Sequence, residues 1–600
     1  MNKKTALYSL IVAAVLLTAG GPFGHGVQAQ PKTQTAQAAL QALAECATCV
    51  DYDPRLEACT VVLVGKNAST DGSVITTHTC DCGTCDWTFR RVPAADHKPG
   101  DTRKIYHIGQ FDAPPPDLGL KWDRVKIDAF TGLELPEPPH TYGYINGSFG
   151  YMNDKQVSIG ESTLGNVAKI ENTTAAPKFD ITMLTLLAME RGGTAREAIK
   201  VMGEAAEKFG YGFTDSGEML AVADPKEVWL FEIMPVGALW TPESGKPGAV
   251  WCAQRIPDDH VSVCPNESRI GEIDLNNKDM FMFSPNVVSF AVDQKLYDPK
   301  SGKPFNFKRA YSPNDLSAAS TNGNRVRMWR FYNLVAPSLN LGPETNNMDF
   351  PVSVKPDKKL SVQDVMTILR DKCEGTIFDP ARGLQGGPFS NPNFLPYGFK
   401  LDGKTYNTSR IINVNRAEYV TITQSRGWMP DPIGGIVWLA FGNQDTSCLM
   451  PLYNAMAEIP RGFQIGDHWE FNRESTRWAF DYVDFHTQAV YAHAIQDVRE
   501  AQKRYETAAL ERTPVIDKAA LELYQKDPAA AVKFLTDYSW NNVQAVTDAW
   551  WKLGDALLVK YNKMWIYDVK SRKRLSLTFP DWYLRELVLS NKIPPQPEKK

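Results

Sequence analysis

Neither sign of charge prevails in this 600-residue chain: 65 Lys and Arg stand against 69 Asp and Glu, a net charge of −4. That balance removes the electrostatic case for a nucleic-acid partner. No low-complexity tract is present, and 43% hydrophobic with 22% charged residues is the composition of a folded globular protein. Past the N-terminal leader, no apolar run is long enough to cross a bilayer. Also missing are the His-Glu-x-x-His of zinc peptidases, the phosphate loop, the Gly-x-Ser-x-Gly elbow and the dinucleotide fingerprint. Their absence removes several common enzyme classes.

What is there begins with a leader. Lys3 and Lys4 precede an apolar run from Ala6 to Leu17, and Val27-Gln28-Ala29 offers small residues at a cleavage position. The run is too short for a membrane span and reads as a secretory signal peptide over residues 1–29. Residues 30–58, rich in Gln and Ala, read as a pro-segment. The expectation is an exported protein, periplasmic or extracellular, without membrane association once the leader is cut. Ten cysteines in such a chain point to disulfides, with Cys252–Cys264 a candidate bridge.

The length calls for one large domain with appendages or for two to four domains. Thr60 to Val64 is rich in β-branched residues and reads as a buried strand; Asp71-Gly72 is a turn signal, and Ser73 to His78 is the return strand. Asp180 opens a helix that ends at Gly192-Gly193. Thr194 to Glu197 is a capping box for a second helix, with Ala198, Val201, Met202, Ala205 and Phe209 on one face. Met219–Ala223 and Val228–Ile233 read as a hairpin, and further strands are expected near Val288, Val352 and Tyr419. After about residue 485 the pattern turns helical, with Val543, Val546, Trp550, Leu553 and Leu557 spaced by three and four. The order predicts an α+β fold with layered sheets.

Within the first hairpin, the antiparallel geometry brings Cys59, at the head of one strand, toward His78, Cys80 and Asp81 at the end of the other. As an internal residue, Cys59 is an ordinary buried thiol or half of a disulfide. As a new N-terminus it gains an α-amine, with a pKa near ~8, that can take the thiol proton. Asp81 is placed to orient that amine, and His78 to line a pocket. Asn153 has the chemistry of an oxyanion donor, although an Asn before Asp is also ordinary turn chemistry. Cys46-x-x-Cys49 with Cys80, Cys82 and Cys85 offers sulfurs for zinc, for disulfides or for redox work at Cys82 and Cys85.

The stretch from Cys59 to Asp81, then NDKQVSIGEST, FDITMLTLLAMERGGTAREAIKVMGEAAEKFGYG, ADPKEVWLFEI, WCAQRIPDDHVSVCPNESRI, MWRFYNLVAPSLNL and SRGWMPDPIGGIVWLAFGNQDTSCLMPLY, resembles the dipeptidase A family of cysteine peptidases. Secernins are relatives, and the wider clan includes penicillin V acylase and bile salt hydrolase. The resemblance covers roughly residues 59–560. It implies an N-terminal-nucleophile hydrolase, a four-layer αββα sandwich spanning residues 59–485, with a helical C-terminal region over 486–600. It places the nucleophile at Cys59, the carboxylate at Asp81 and oxyanion donors at Asn153 and Asn266. Arg269 and Arg255 are competing matches for substrate contacts. His78 stands where many relatives carry arginine. Residues 30–58 also depart from relatives in which the cysteine follows the signal peptide closely.

The expected function is therefore an exported cysteine dipeptidase that matures by cleavage between Ala58 and Cys59. It would act on small peptides, need no metal or organic cofactor, and be compatible with homo-oligomers. The alternatives are an acylase of N-acyl amides on the same nucleophile, an inactive binding or scaffold protein, and a metal or redox module built on the cysteine cluster.

Overall fold

The computed structural model describes residues 59–83, 85–108, 130–212, 216–314, 323–395, 398–402 and 404–596. The signal peptide, the pro-segment, Cys46 and Cys49 lie outside the described residues. Two antiparallel sheets dominate. Fourteen strands, labelled in chain order, build them: β1 (Val61–Val64), β2 (Val74–Thr79), β3 (Arg90–Val92), β4 (Tyr144–Asn146), β5 (Gly150–Asn153), β6 (Ser158–Leu164), β7 (Gly217–Ala223), β8 (Val228–Met234), β9 (Val250–Ile256), β10 (Val261–Cys264), β11 (Phe281–Phe283), β12 (Tyr419–Ser425), β13 (Gly435–Phe441) and β14 (Met450–Tyr453).

The first sheet runs β10-β1-β2-β12-β13-β14 and the second β11-β9-β8-β7-β6-β5-β4-β3. Strands β1, β2, β7, β8, β12 and β13 are buried along their whole length. This explains why they read as continuous β-branched and apolar runs rather than as alternations. The sheets meet face to face where β6 crosses β2. A Cβ on Gly160 would sit 2.2 Å from the Thr77 carbonyl oxygen, so only glycine allows this approach.

Helices α1 (Ile181–Arg191) and α2 (Ala195–Phe209) border the second sheet. The Asp180 side chain accepts from the Met183 backbone at 2.7 Å and Thr194 from the Glu197 backbone at 3.2 Å, so both helices are capped, but the return arm of the expected box shifts by one residue, Glu197 accepting from Gly193 N at 2.9 Å. Helix α3 (Gly323–Val335) and helix α4 (Val362–Leu369) lie against the first sheet.

The C-terminal helices start earlier than the sequence suggests: α5 (Thr476–Ala489), then α6 (Tyr491–Tyr524) and α7 (Pro528–Tyr561). Their apolar faces share cores with the sheets. Val543, Val546, Trp550 and Leu557 join one core with Val437 and Leu439, while Ala509, Ala520 and Leu535 join another with Ile422 and Ile436. Two expected strands are absent. Val288 precedes a five-residue helix (Ser289–Asp293), and Val352 lies outside any strand.

Candidate active site

The β1–β2 pairing sets the site. Leu63 faces Thr76, Val64 faces Ile75, and a bridge joins Thr60 to Thr79, so one register holds throughout. It puts Cys59 opposite Cys80, with Asp81 one residue further on. Threonine hydroxyls reinforce this end: Thr79 Oγ1 accepts from Thr60 N at 2.8 Å, and Thr77 Oγ1 from Val62 N at 2.9 Å.

Cys59 is 4% exposed. Burial pushes its thiol well up, and the charges of Glu161, Cys80 and Asp81 add to the shift, opposed by the Asp81 backbone N–H at the sulfur. The thiol is therefore protonated at neutral pH and needs a base before it can attack. Asp81 is fully buried. Its Oδ2 accepts from Thr79 Oγ1 at 3.0 Å and pairs with the Arg410 guanidinium. Its Oδ1 has no hydrogen-bond partner among the described residues.

His78 and Glu161 complete a cluster. The Cys59 sulfur, a His78 ring nitrogen and a Glu161 carboxylate oxygen lie within 4.8 Å of one another, all buried. His78 Nε2 stands 3.2 Å from Glu161 Oε2, and Nδ1 lies 3.2 Å from the Tyr151 hydroxyl, which in turn bonds to the Tyr419 hydroxyl. Glu161 Oε1 accepts from Thr163 Oγ1 at 3.0 Å. Burial alone would raise the Glu161 carboxyl, but His78, Glu218 and Thr163 hold it below the ordinary range. Glu218 is pushed well up by burial and then by Glu161, so this carboxyl pair keeps its proton on Glu218.

Arg327, from α3, ties these pieces together and was not foreseen from the sequence. Fully buried, it donates to the Cys59 carbonyl at 2.6 Å, Thr60 Oγ1 at 2.9 Å, the Pro265 carbonyl at 3.0 Å and Asn266 Oδ1 at 3.1 Å. Asn266 sits in the left-handed region (φ 60°), where asparagine is tolerated. Its backbone N–H donates to Ser162 Oγ at 2.9 Å and its Nδ2 to the Thr163 carbonyl at 2.9 Å. Asn266 is thus held beside Cys59 through a shared arginine.

Three sequence candidates are placed elsewhere or committed to other work. Asn153 donates through Nδ2 to the Met189 and Gly192 carbonyls at 3.0 and 2.7 Å, so neither amide hydrogen is left for an oxyanion. Its Oδ1 accepts from Lys155 N and Val157 N, each at 3.0 Å, which is turn chemistry. Arg269 is buried and donates to Tyr332 OH at 3.1 Å and to the Pro351 carbonyl, which keeps it inside the fold. Arg255 pairs with Glu227 at 2.9 Å and Asp258 at 2.7 Å. Asp258 packs on Gly65, at the far end of β1, on the order of 20 Å from Cys59 at strand rise.

Among the cysteines, one of the open alternatives for the cluster, a disulfide, is found, but the expected Cys252–Cys264 bridge is not. Cys82 and Cys85 form a disulfide, while Cys252 and Cys264 are separate buried thiols on β9 and β10, which belong to different sheets. Cys80, Cys82 and Cys85 sulfurs cluster within 4.8 Å, but two of the three are already bonded to each other.

A buried thiol, a paired carboxylate and a tethering arginine thus meet at one strand end, and a thiol beside a carboxylate is the pairing of groups that cysteine-type hydrolysis uses. The sequence pattern of peptidase family C69 matches residues 58–504, so the chain belongs to that family, the dipeptidase A family of cysteine peptidases. It is similar to a probable dipeptidase of Salmonella dublin, 29% identical over 418 residues, 68% of this chain and 83% of the relative. A probable dipeptidase of Latilactobacillus sakei is 24% identical over 499 residues, 80% and 90% of the two chains. A dipeptidase of Bifidobacterium longum is 25% identical over 425 residues, 67% and 72% of the two chains.

Proposed function

We propose that the protein is an exported cysteine dipeptidase whose nucleophile, Cys59, becomes the first residue when residues 1–58 are removed. The carrying observation is Asp81 Oδ1, a buried carboxylate oxygen beside Cys59 with no partner among the described residues. An α-ammonium on Cys59 would give that oxygen a charged donor. The family match beginning at residue 58, one position before the thiol, supports the same boundary. On this reading the two facing sheets with helices on either side are the αββα sandwich of N-terminal-nucleophile hydrolases.

The chemistry follows from the placement. The α-amine takes the thiol proton, which the buried sulfur otherwise keeps, and the thiolate attacks the peptide carbonyl. Backbone N–H groups and the second amide hydrogen of Asn266 stabilise the oxyanion. Arg327 fixes the Cys59 carbonyl, and hence the position of the amine. The amine then protonates the leaving group, and water, activated by the same amine, hydrolyses the thioester.

Cys59→Ala should reduce hydrolysis to background while leaving the thermal midpoint near wild type. A panel of dipeptides against N-acyl amides reads the substrate class. Faster turnover of the N-acyl amides would replace the dipeptidase reading with an acylase on the same nucleophile.

A further inference from the structure

We propose that the mature protein carries an inhibitory site for a zinc-like divalent cation. Its ligands are the Cys59 sulfur and α-amine, His78 Nε2 and Glu161 Oε2. The inference rests on the N-terminal reading above, because the amine exists only after cleavage.

The distances suit the ion. Nitrogen and oxygen ligands at ~2.0–2.1 Å form tetrahedron edges of about 3.3 Å; His78 Nε2 and Glu161 Oε2 are 3.2 Å apart. Yet neither atom makes a hydrogen bond of good geometry to any described residue, although both are buried. The two atoms face each other as an ion pair and have no third partner among the described residues, and a metal seated between them would bridge both. The sulfur lies within 4.8 Å of both side chains.

The surroundings are built as an outer shell. The Tyr151 hydroxyl at 3.2 Å holds His78 Nδ1, which leaves Nε2 directed at Glu161, and Thr163 holds the other Glu161 oxygen at 3.0 Å. An N-terminal cysteine adds a five-membered chelate through nitrogen and sulfur. On binding, the thiol and the α-ammonium each release one proton, neutral His78 carries its remaining proton on Nδ1 toward Tyr151 so that Nε2 is a bare lone pair, and no electron moves. The divalent charge is then balanced by the thiolate and the Glu161 carboxylate, so the buried site is neutral. The ion occupies both nucleophile and base, and hydrolysis stops until it leaves.

The test uses the secreted, active enzyme, its N-terminus read by intact mass. Zinc chloride is added, free metal is removed by gel filtration, and bound zinc is counted. The expected result is one zinc per chain, activity lost in parallel, and recovery with EDTA. Cobalt should give a thiolate charge-transfer band that is absent in Cys59→Ala. His78→Gln and the near-isosteric Glu161→Gln should each weaken zinc binding by more than the roughly 10–100-fold that loss of an outer-shell partner costs, whereas Cys80→Ser should not. Cleaved enzyme that stays fully active in excess zinc, or zinc binding unchanged in Glu161→Gln and His78→Gln, would overturn the site. An active chain of uncleaved mass would instead overturn the N-terminal reading, and with it the amine this site requires.

Discussion

The two ends of β1 carry similar residue types in opposite states. At the Gly65 end, Lys66, Arg255, Asp258 and Glu227 form ion pairs of 2.7–3.0 Å at partly exposed positions. At the Cys59 end, the thiol, Asp81, His78 and Glu161 are buried, and three of their polar atoms have no well-formed hydrogen bond among the described residues. Ion pairs near water contribute little and demand nothing further. Buried polar atoms short of a partner are costly, and a fold retains them where a substrate, a terminus or an ion completes them. The difference in satisfaction, rather than in residue type, separates the candidate site from the surface.

The largest effect expected from breaking this contrast is at Asp81. Asp81→Asn keeps an acceptor for Thr79 but loses the charge assigned to the proposed α-amine, and kcat/KM should fall by roughly 10²–10³-fold. The thermal midpoint, measured alongside, separates lost chemistry from lost fold. Unchanged kcat/KM in a folded variant would dissolve the distinction between the two ends.

Asn153→Ala should behave differently. It removes two donated and two accepted hydrogen bonds and should cost about 2–4 kcal/mol in denaturant unfolding. The folded fraction should keep its turnover, because the amide is engaged with α1 and its own turn.

A control on burial alone is Asp484, far along the chain on α5. Burial raises its pKa to about 6, against three donors, Thr446, Gln488 and Asn443. The folded chain holds this proton longer than the unfolded chain, whose carboxyl titrates near ~3.9. Stability should therefore fall as pH rises from about 4 to about 6, by up to about 3 kcal/mol. Asp484→Asn should flatten that slope in pH-dependent unfolding without altering turnover.

The smallest effect is expected at Arg255. Arg255→Ala should leave kcat/KM within about twofold and stability within about 1 kcal/mol. A large loss of activity would place the substrate at the wrong end of the strand.

Local chemistry was legible in the sequence. The β1–β2 hairpin was marked by Thr60 to Val64 and Asp71-Gly72, the caps by Asp180 and Thr194, and the α7 face by Val543 to Leu557. The Cys59–Asp81 approach followed because an antiparallel register depends on the turn between them. Val288 misled because Asn-Val-Val-Ser-Phe is too short an apolar run to separate strand from helix by period. Long-range placement was not legible. Arg327 reaches Cys59 across 268 positions, and only its setting between Val326 and Met328, at the head of an apolar run, hints that a buried arginine needs a dedicated set of acceptors. Glu161 gave the same kind of signal, a carboxylate in a buried strand. Asn153 shared a motif with donors of oxyanion sites, yet sequence cannot tell a side chain aimed at substrate from one spent on its own turn. Cys252 and Cys264 looked paired because they are close in sequence, but the chain changes sheets between them.

The most direct test is the N-terminal residue of the active, purified protein, by intact mass and N-terminal sequencing on the same sample that turns over substrate. Cys59 as the first residue is the predicted result. Full activity in a chain that still carries Ala58 would contradict it.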